Sequence, residues 1–226
     1  MLNSSTTSHT QKAYAGIRRL MFHNEIVPGQ KIAYRDLAER LGMSQTPVIQ
    51  ALKWLEFHGL VRNERHRGYF IEPISLQEVE EIYDLRELLE VDLLRKSLPG
   101  MTAADLKRVA AAMEAHLAAA EGRDLHARLE KDMHFHLELG ACAGTRVHQQ
   151  NLRNLFDLLY LKYGANVLFS TDMRAAGAAH KRLYEAIREG DRRKAVAALR
   201  RHIRAVKKHV LSGVRRLVEA REITSL

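Results

Sequence analysis

The chain has 226 residues, of which 46% are hydrophobic and 6% aromatic, with four prolines; this excludes global disorder and suits a mostly helical protein with one large or two modest cores. Its formal charge of +9 is uneven, with ten Lys/Arg against six Asp/Glu in residues 1–73, eleven against sixteen in 74–173, and fifteen against five in 174–226. A basic balance points to an anionic partner such as nucleic acid, and no apolar run reaches the roughly 18 residues that cross a bilayer.

The start, MLNSSTTSHTQK, lacks the apolar core of a secretory leader, and residues 1–9 read as a disordered polar tail. A single cysteine, Cys142, cannot close an internal disulfide, which matches a reducing cytoplasm. Residues 10–23 place Ala13, Ile17, Leu20 and Met21 at helical spacing. Pro28-Gly29 then marks a turn, and a short helix resumes from Tyr34 to Leu41. Gly42, with no Cβ, permits a left-handed exit from that helix. Ser44 or Thr46 can cap the next one, and Pro47 suits its first turn, where no amide donor is needed. Val48, Leu52 and Leu55 form its inward stripe. Leu60 to Ile71 reads as a hairpin with a basic tip at Arg65-His66-Arg67-Gly68, and Pro73 closes the segment.

From Ser75 the pattern is helical nearly throughout. Ser75-x-x-Glu78 is a capping box. Six helices are expected, near 75–98, 102–122, 124–144, 146–163, 173–189 and 191–220. The fold class is therefore mainly α, with a winged helix-turn-helix over residues 10–73 and an all-helical antiparallel bundle over 74–222.

Three short helices followed by a basic hairpin is the order of a winged helix-turn-helix. In that design the helix after the tight turn enters the major groove and the wing meets phosphate or the minor groove. Ser44, Gln45 and Thr46 would then face base edges and phosphates. Lys31, Arg35, Arg65 and Arg67, with Gly68 at the wing, would meet the backbone.

A second constellation lies in the helical part. Leu125, Leu129, Asp132, His136 and Leu139 recur at steps of four, three, four and three, so Asp132 and His136 share an apolar face. His180 lies above Leu183, Tyr184 and Ile187. His202 borders the stripe of Val196, Leu199, Ile203, Val206 and Val210. A buried carboxylate is costly without a partner. One Asp and three His on inward faces form an N/O donor set for a divalent transition metal, zinc or nickel foremost. His134 projects away from the pair and is left out. The residues alone also allow a metal-dependent enzyme, although no general base stands out beside the donors, and they allow a metal that only staples the helices.

The run "VPGQKIAYRDLAERLGMSQTPVIQALKWLEFHGLVRNERHRGYFIEPIS" resembles the N-terminal domain of GntR-type bacterial transcription regulators. The landmarks are Pro28-Gly29, Leu37-Ala38, Leu41-Gly42, Thr46-Pro47-Val48, Ala51-Leu52, Gly59-Leu60-Val61 and Gly68. It departs from the family at Gln45 and Ile49, where Arg is usual, and at Gln50, where Glu is usual. Gln pairs with adenine and Arg with guanine, so Gln45 is expected to shift preference away from guanine. The helical part resembles the FCD ligand-binding domain of the same regulators. That resemblance implies Asp132, His136, His180 and His202 as metal ligands. It further implies Arg86 as a cavity residue gripping a carboxylate effector, against which stands a surface Arg86–Glu90 bridge. Thr145 replaces a usual Asn. The resemblance implies a ligand-responsive transcription regulator, expected to act as a repressor and not an enzyme, binding a pseudo-palindromic DNA operator as a homodimer.

Overall fold

A computed structural model describes residues 8–122, 124–163 and 173–224. The chain divides into two compact units, the first comprising the residues up to Ile74 together with residues 160–163, the second the other described residues from Ser75 on.

In the first unit, helix α1 (His9–Phe22) opens at Ser8, whose hydroxyl accepts from the Gln11 amide while the Gln11 side chain accepts from the Ser8 amide. The expected tail is thus shorter than residues 1–9. Ser8-x-x-Gln11 is a reciprocal cap that starts the helix at His9, and residues 1–7 lie outside the described residues. Strand β1 (Lys31–Ile32) precedes α2 (Tyr34–Arg40), and α3 (Gln45–Phe57) follows after a tight turn. Gly42 takes φ +62 in that turn, a left-handed conformation that L side chains resist. Strands β2 (Val61–Glu64) and β3 (Gly68–Ile71) form the hairpin.

The sheet has three strands in the order β1-β3-β2, all antiparallel, with Lys31 opposite Phe70 and Val61 opposite Ile71. β1 carries no readable alternation at two residues, yet it covers the outer edge of the wing. Ile17, Val48, Ala51, Leu52 and Leu55 are fully buried where α1 packs on α3. Burying a Leu, Ile or Val side chain stabilises by roughly 1.5–3 kcal/mol, so this stripe fixes the angle at which α3 presents its opposite face.

In the second unit, α4 (Leu76–Ser97), α5 (Ala103–Glu121), α6 (Leu125–Ala141) and α7 (Arg146–Asp157) follow in turn. A π-helical turn, Leu158–Tyr163, continues α7. Helices α8 (Met173–Arg188) and α9 (Arg192–Thr224) complete six helices among the described residues. Ser75 Oγ accepts from the Glu78 amide, Thr102 and Asp105 form a reciprocal cap, and Asp124 caps α6 through the His126 and Ala127 amides. α4 packs mainly on α9, α5 on α6 and α8, and α8 on α9. Leu125, expected on the inward face of α6, is 38% exposed; the buried stripe begins one turn later, at Leu129. Among the described residues no helix is long and apolar enough to cross a membrane.

Candidate metal centre and nucleic-acid interface

Three helices bring four donor side chains together inside the second unit. Asp132 and His136 come from α6, one helical turn apart, so both point to the same side. His180 arrives from α8 and His202 from α9. One ligand atom from each of the four lies within 4.8 Å of the others. The three His Nε2 atoms form a tight triangle, with His180 to His202 at 3.0 Å and His136 to each of the other two at 3.3 Å. Asp132 Oδ1 stands 3.6 Å from His180 Nε2. The three histidines are buried, and Asp132 is nearly so.

The protonation of this group follows from its neighbours. Glu90, on α4, sends Oε2 to His136 Nδ1 at 2.5 Å and Oε1 to Arg86 Nε at 2.8 Å. Burial would push the Glu90 carboxyl up, but Arg86 and His136 together hold it below the usual carboxylate range. An ionised Glu90 only accepts, so His136 Nδ1 carries a proton, and its Nε2 is the nitrogen turned toward the centre. Burial, with the charges of neighbouring His and Arg86 behind it, drives His180 and His202 well below the usual imidazole range, so both rings are neutral. Burial pushes Asp132 up, but His136 foremost, with Arg86 among the other neighbours, holds it below the usual carboxylate range overall.

Three imidazole nitrogens crowded together beside an ionised carboxylate, with the His180 and His202 rings neutral, suit a cation. Metal–nitrogen bonds of roughly 2.0–2.1 Å in a tetrahedral site imply nitrogen–nitrogen separations of about 3.3 Å, and the observed triangle falls at that spacing or slightly under. The donor set therefore fits a divalent transition metal.

Arg86 faces the same interior. The Arg86–Glu90 bridge weighed from sequence is present, but it is buried, with both side chains 3% exposed, and not on the surface. The guanidinium also lies 4.2 Å over the Phe156 ring and 5.1 Å from the Tyr83 ring. Phe135 stacks on His180 at 4.4 Å. Two residues of the centre escaped the sequence reading. Glu90 continues the inward α4 stripe of Val79, Tyr83 and Arg86, and its spacing from Arg86 is the signal. His116 extends the α5 stripe of Val109, Ala112 and Met113 and is fully buried. His134 is exposed, as expected. Thr145 precedes α7 and its side chain forms no capping bond.

In the first unit, Ser44, Gln45 and Thr46 are exposed at the start of α3. Ser44 is the capping residue but makes no side-chain cap bond. Pro47 is the third helical residue and has no N–H, which removes one of the two amides a cap normally engages. Lys31 and Arg35 are exposed, as are Arg65 and Arg67 at the wing. Arg67 pairs with Glu64 at 2.5 Å and lies over Phe70 at 5.3 Å, so it is held in place rather than loose. Gly68 closes the wing at φ +92. Gln50 accepts from the Thr10 hydroxyl at 2.6 Å, tying α3 to α1.

Comparison with known proteins covers both units. The model of the FCD domain matches residues 81–205, and that of bacterial regulatory proteins, gntR family, matches residues 9–71. The chain is 35% identical over 144 residues to an uncharacterised HTH-type transcriptional regulator of Agrobacterium vitis from the TAR-I ttuE-ttuC' intergenic region, across 62% of this chain and 83% of that one. It is 25% identical over 145 residues to the HTH-type transcriptional repressor RspR of Escherichia coli, across 64% of each. Among solved structures, McbR/YncC of E. coli superposes with a TM-score of 0.79 at 19% identity, covering 91% of this chain and 98% of that one, a likeness of fold.

Proposed function

The chain belongs to the gntR family of bacterial regulatory proteins and carries an FCD domain, and from that premise we propose that it is a metal-dependent sensor of a small carboxylate that represses transcription. It is a transcriptional regulator of the helix-turn-helix type, as its relatives are, and not an enzyme. In our reading Asp132, His136, His180 and His202 hold a divalent transition metal, zinc or nickel. The observation that carries this is the triangle of three buried Nε2 atoms beside an ionised carboxylate.

When bound, the metal supplies a Lewis-acidic point for an anionic oxygen. The chain's own residues do the rest. Glu90 fixes the His136 tautomer, Arg86 fixes Glu90 and adds positive charge beside the centre, and Phe135 holds the His180 ring by stacking. Positive charge in a buried site favours an anionic effector, and a carboxylate is the small organic anion that matches it.

On DNA, α3 would enter the major groove with Gln45 and Thr46 toward base edges. Ser44, Lys31, Arg35, Arg65, Arg67 and the Gly68 wing would meet the backbone. A homodimer in the cytoplasm would read a pseudo-palindromic operator, and effector binding would change how its two reading heads are presented. The sign, repression, leans on the name of the related RspR repressor. A second reading has its own support: three histidines no more than 4% exposed suit an ion that only staples helices. Metal analysis of the purified full chain, followed by operator binding with and without a panel of short carboxylates, tests both. Metal uptake with a carboxylate-dependent change in operator affinity supports the sensor. Metal uptake with no such change leaves the staple, and no uptake removes both.

A further inference from the structure

His116 stands outside the four-residue group but shares its interior. It is fully buried on α5 and meets His180 edge to face, with ring centroids 4.5 Å apart. Its Nδ1 is 3.9 Å from Asp132 Oδ1, the carboxylate oxygen that also lies nearest His180. Neither ring nitrogen of His116 has a hydrogen-bond partner. Buried polar atoms are almost always paired, and an orphan pair of nitrogens in the interior requires a physical reason. Packing alone does not supply one, because an apolar ring would fill the same space without the desolvation cost.

The backbone around His116 is arranged to bring it close. On α8, Gly177 sits one turn before His180, and a Cβ there would fall 2.9 Å from Leu117 Cδ2, the neighbour of His116. Glycine within a helix weakens it relative to alanine. The helices α5 and α8 run close at this level, where the glycine leaves room for the end of the Leu117 side chain.

We propose that His116 is a positioning residue for the metal centre: its ring N–H orients the Asp132 carboxylate oxygen toward the ion. This rests on the reading of Asp132, His136, His180 and His202 as a metal site. Ligating carboxylates are themselves held by hydrogen bonds from outside the ligand set, and those outer partners tune affinity. His136 has such a partner in Glu90. His116 is the corresponding group for Asp132, at a separation about 1 Å longer than an ordinary hydrogen bond, which a small turn of either side chain would close.

The test uses the full chain, stripped with chelator and titrated with cobalt(II), whose visible absorption reports ligand geometry. His116→Phe keeps the ring volume and removes both nitrogens; His116→Gln keeps a donor. The expected result is a cobalt affinity about 10–100-fold weaker for His116→Phe, with part of it recovered in His116→Gln. The melting temperature of metal-free His116→Phe is expected to be unchanged or higher. Native-like cobalt affinity in His116→Phe overturns the proposal. So does a fall in metal-free melting temperature that parallels the affinity loss in both variants, since that is the mark of a packing residue. Failure of the native chain to take up cobalt or zinc is visible before any variant is made; it removes the metal-site reading itself, and the proposal with it.

Discussion

His136 Nδ1 and Glu90 Oε2 lie 2.5 Å apart although 46 residues separate them in sequence. The contact links α6 to α4, and Arg86 extends it by one more ion pair. A charge relay of this kind fixes one histidine tautomer, and with it the direction in which the ring's lone pair points.

Glu90→Gln is expected to weaken metal binding 10–100-fold and to lower stability by roughly 3–5 kcal/mol, because Arg86 is left buried without its carboxylate. Calorimetric metal titration and chemical denaturation measure the two effects. A variant as stable as the native chain would show that Arg86 has another way to balance its charge.

His136→Ala and His202→Ala are each expected to abolish metal uptake and effector response while operator affinity stays within a few-fold. Metal content and gel-shift assays check this. Equal loss of both activities would mean that the centre supports the fold and senses nothing.

Chelation of metal-loaded protein is expected to lower the melting temperature reversibly. A ligand that binds only the folded state at 100 times its Kd contributes about 2.7 kcal/mol. Differential scanning calorimetry with and without added zinc reads the shift, and identical curves would count against a bound ion.

Gln45→Arg is expected to move base preference toward guanine at one operator position, with about 1–3 kcal/mol of discrimination. Operator selection from a random pool compares the two proteins; an unchanged logo places Gln45 away from the bases.

Arg65→Ala is expected to weaken binding evenly across sequences and to reduce the salt dependence by about one phosphate contact. Fluorescence anisotropy across a salt series provides the slope. A sequence-selective loss instead would put Arg65 in a groove.

The parts of the molecule legible in the sequence are those where a periodic stripe and a chemical oddity coincide. Asp132 and His136 interrupt an apolar face, and a buried carboxylate there demands a partner. His180 and His202 follow the same logic on α8 and α9. Arg86 and Glu90 were equally periodic, but an i,i+4 pair of opposite charges reads as an exposed bridge unless the whole stripe is weighed. His116 escaped because it is one polar residue at the edge of an alanine-rich helix, where nothing local reveals what it will meet. Strand β1 escaped for a different reason: two residues carry no alternation, and its pairing with β3 is a tertiary contact.

The last donor, His202, lies 70 residues beyond Asp132 and on the final helix described. During synthesis, Asp132 and His136 emerge first and offer an ion only two attachments from a single turn. The remaining two exist only after α8 and α9 have been made and docked. If these four residues hold an ion as proposed, its capture would come late in the life of each new molecule, as a seal on a finished bundle rather than a template for it.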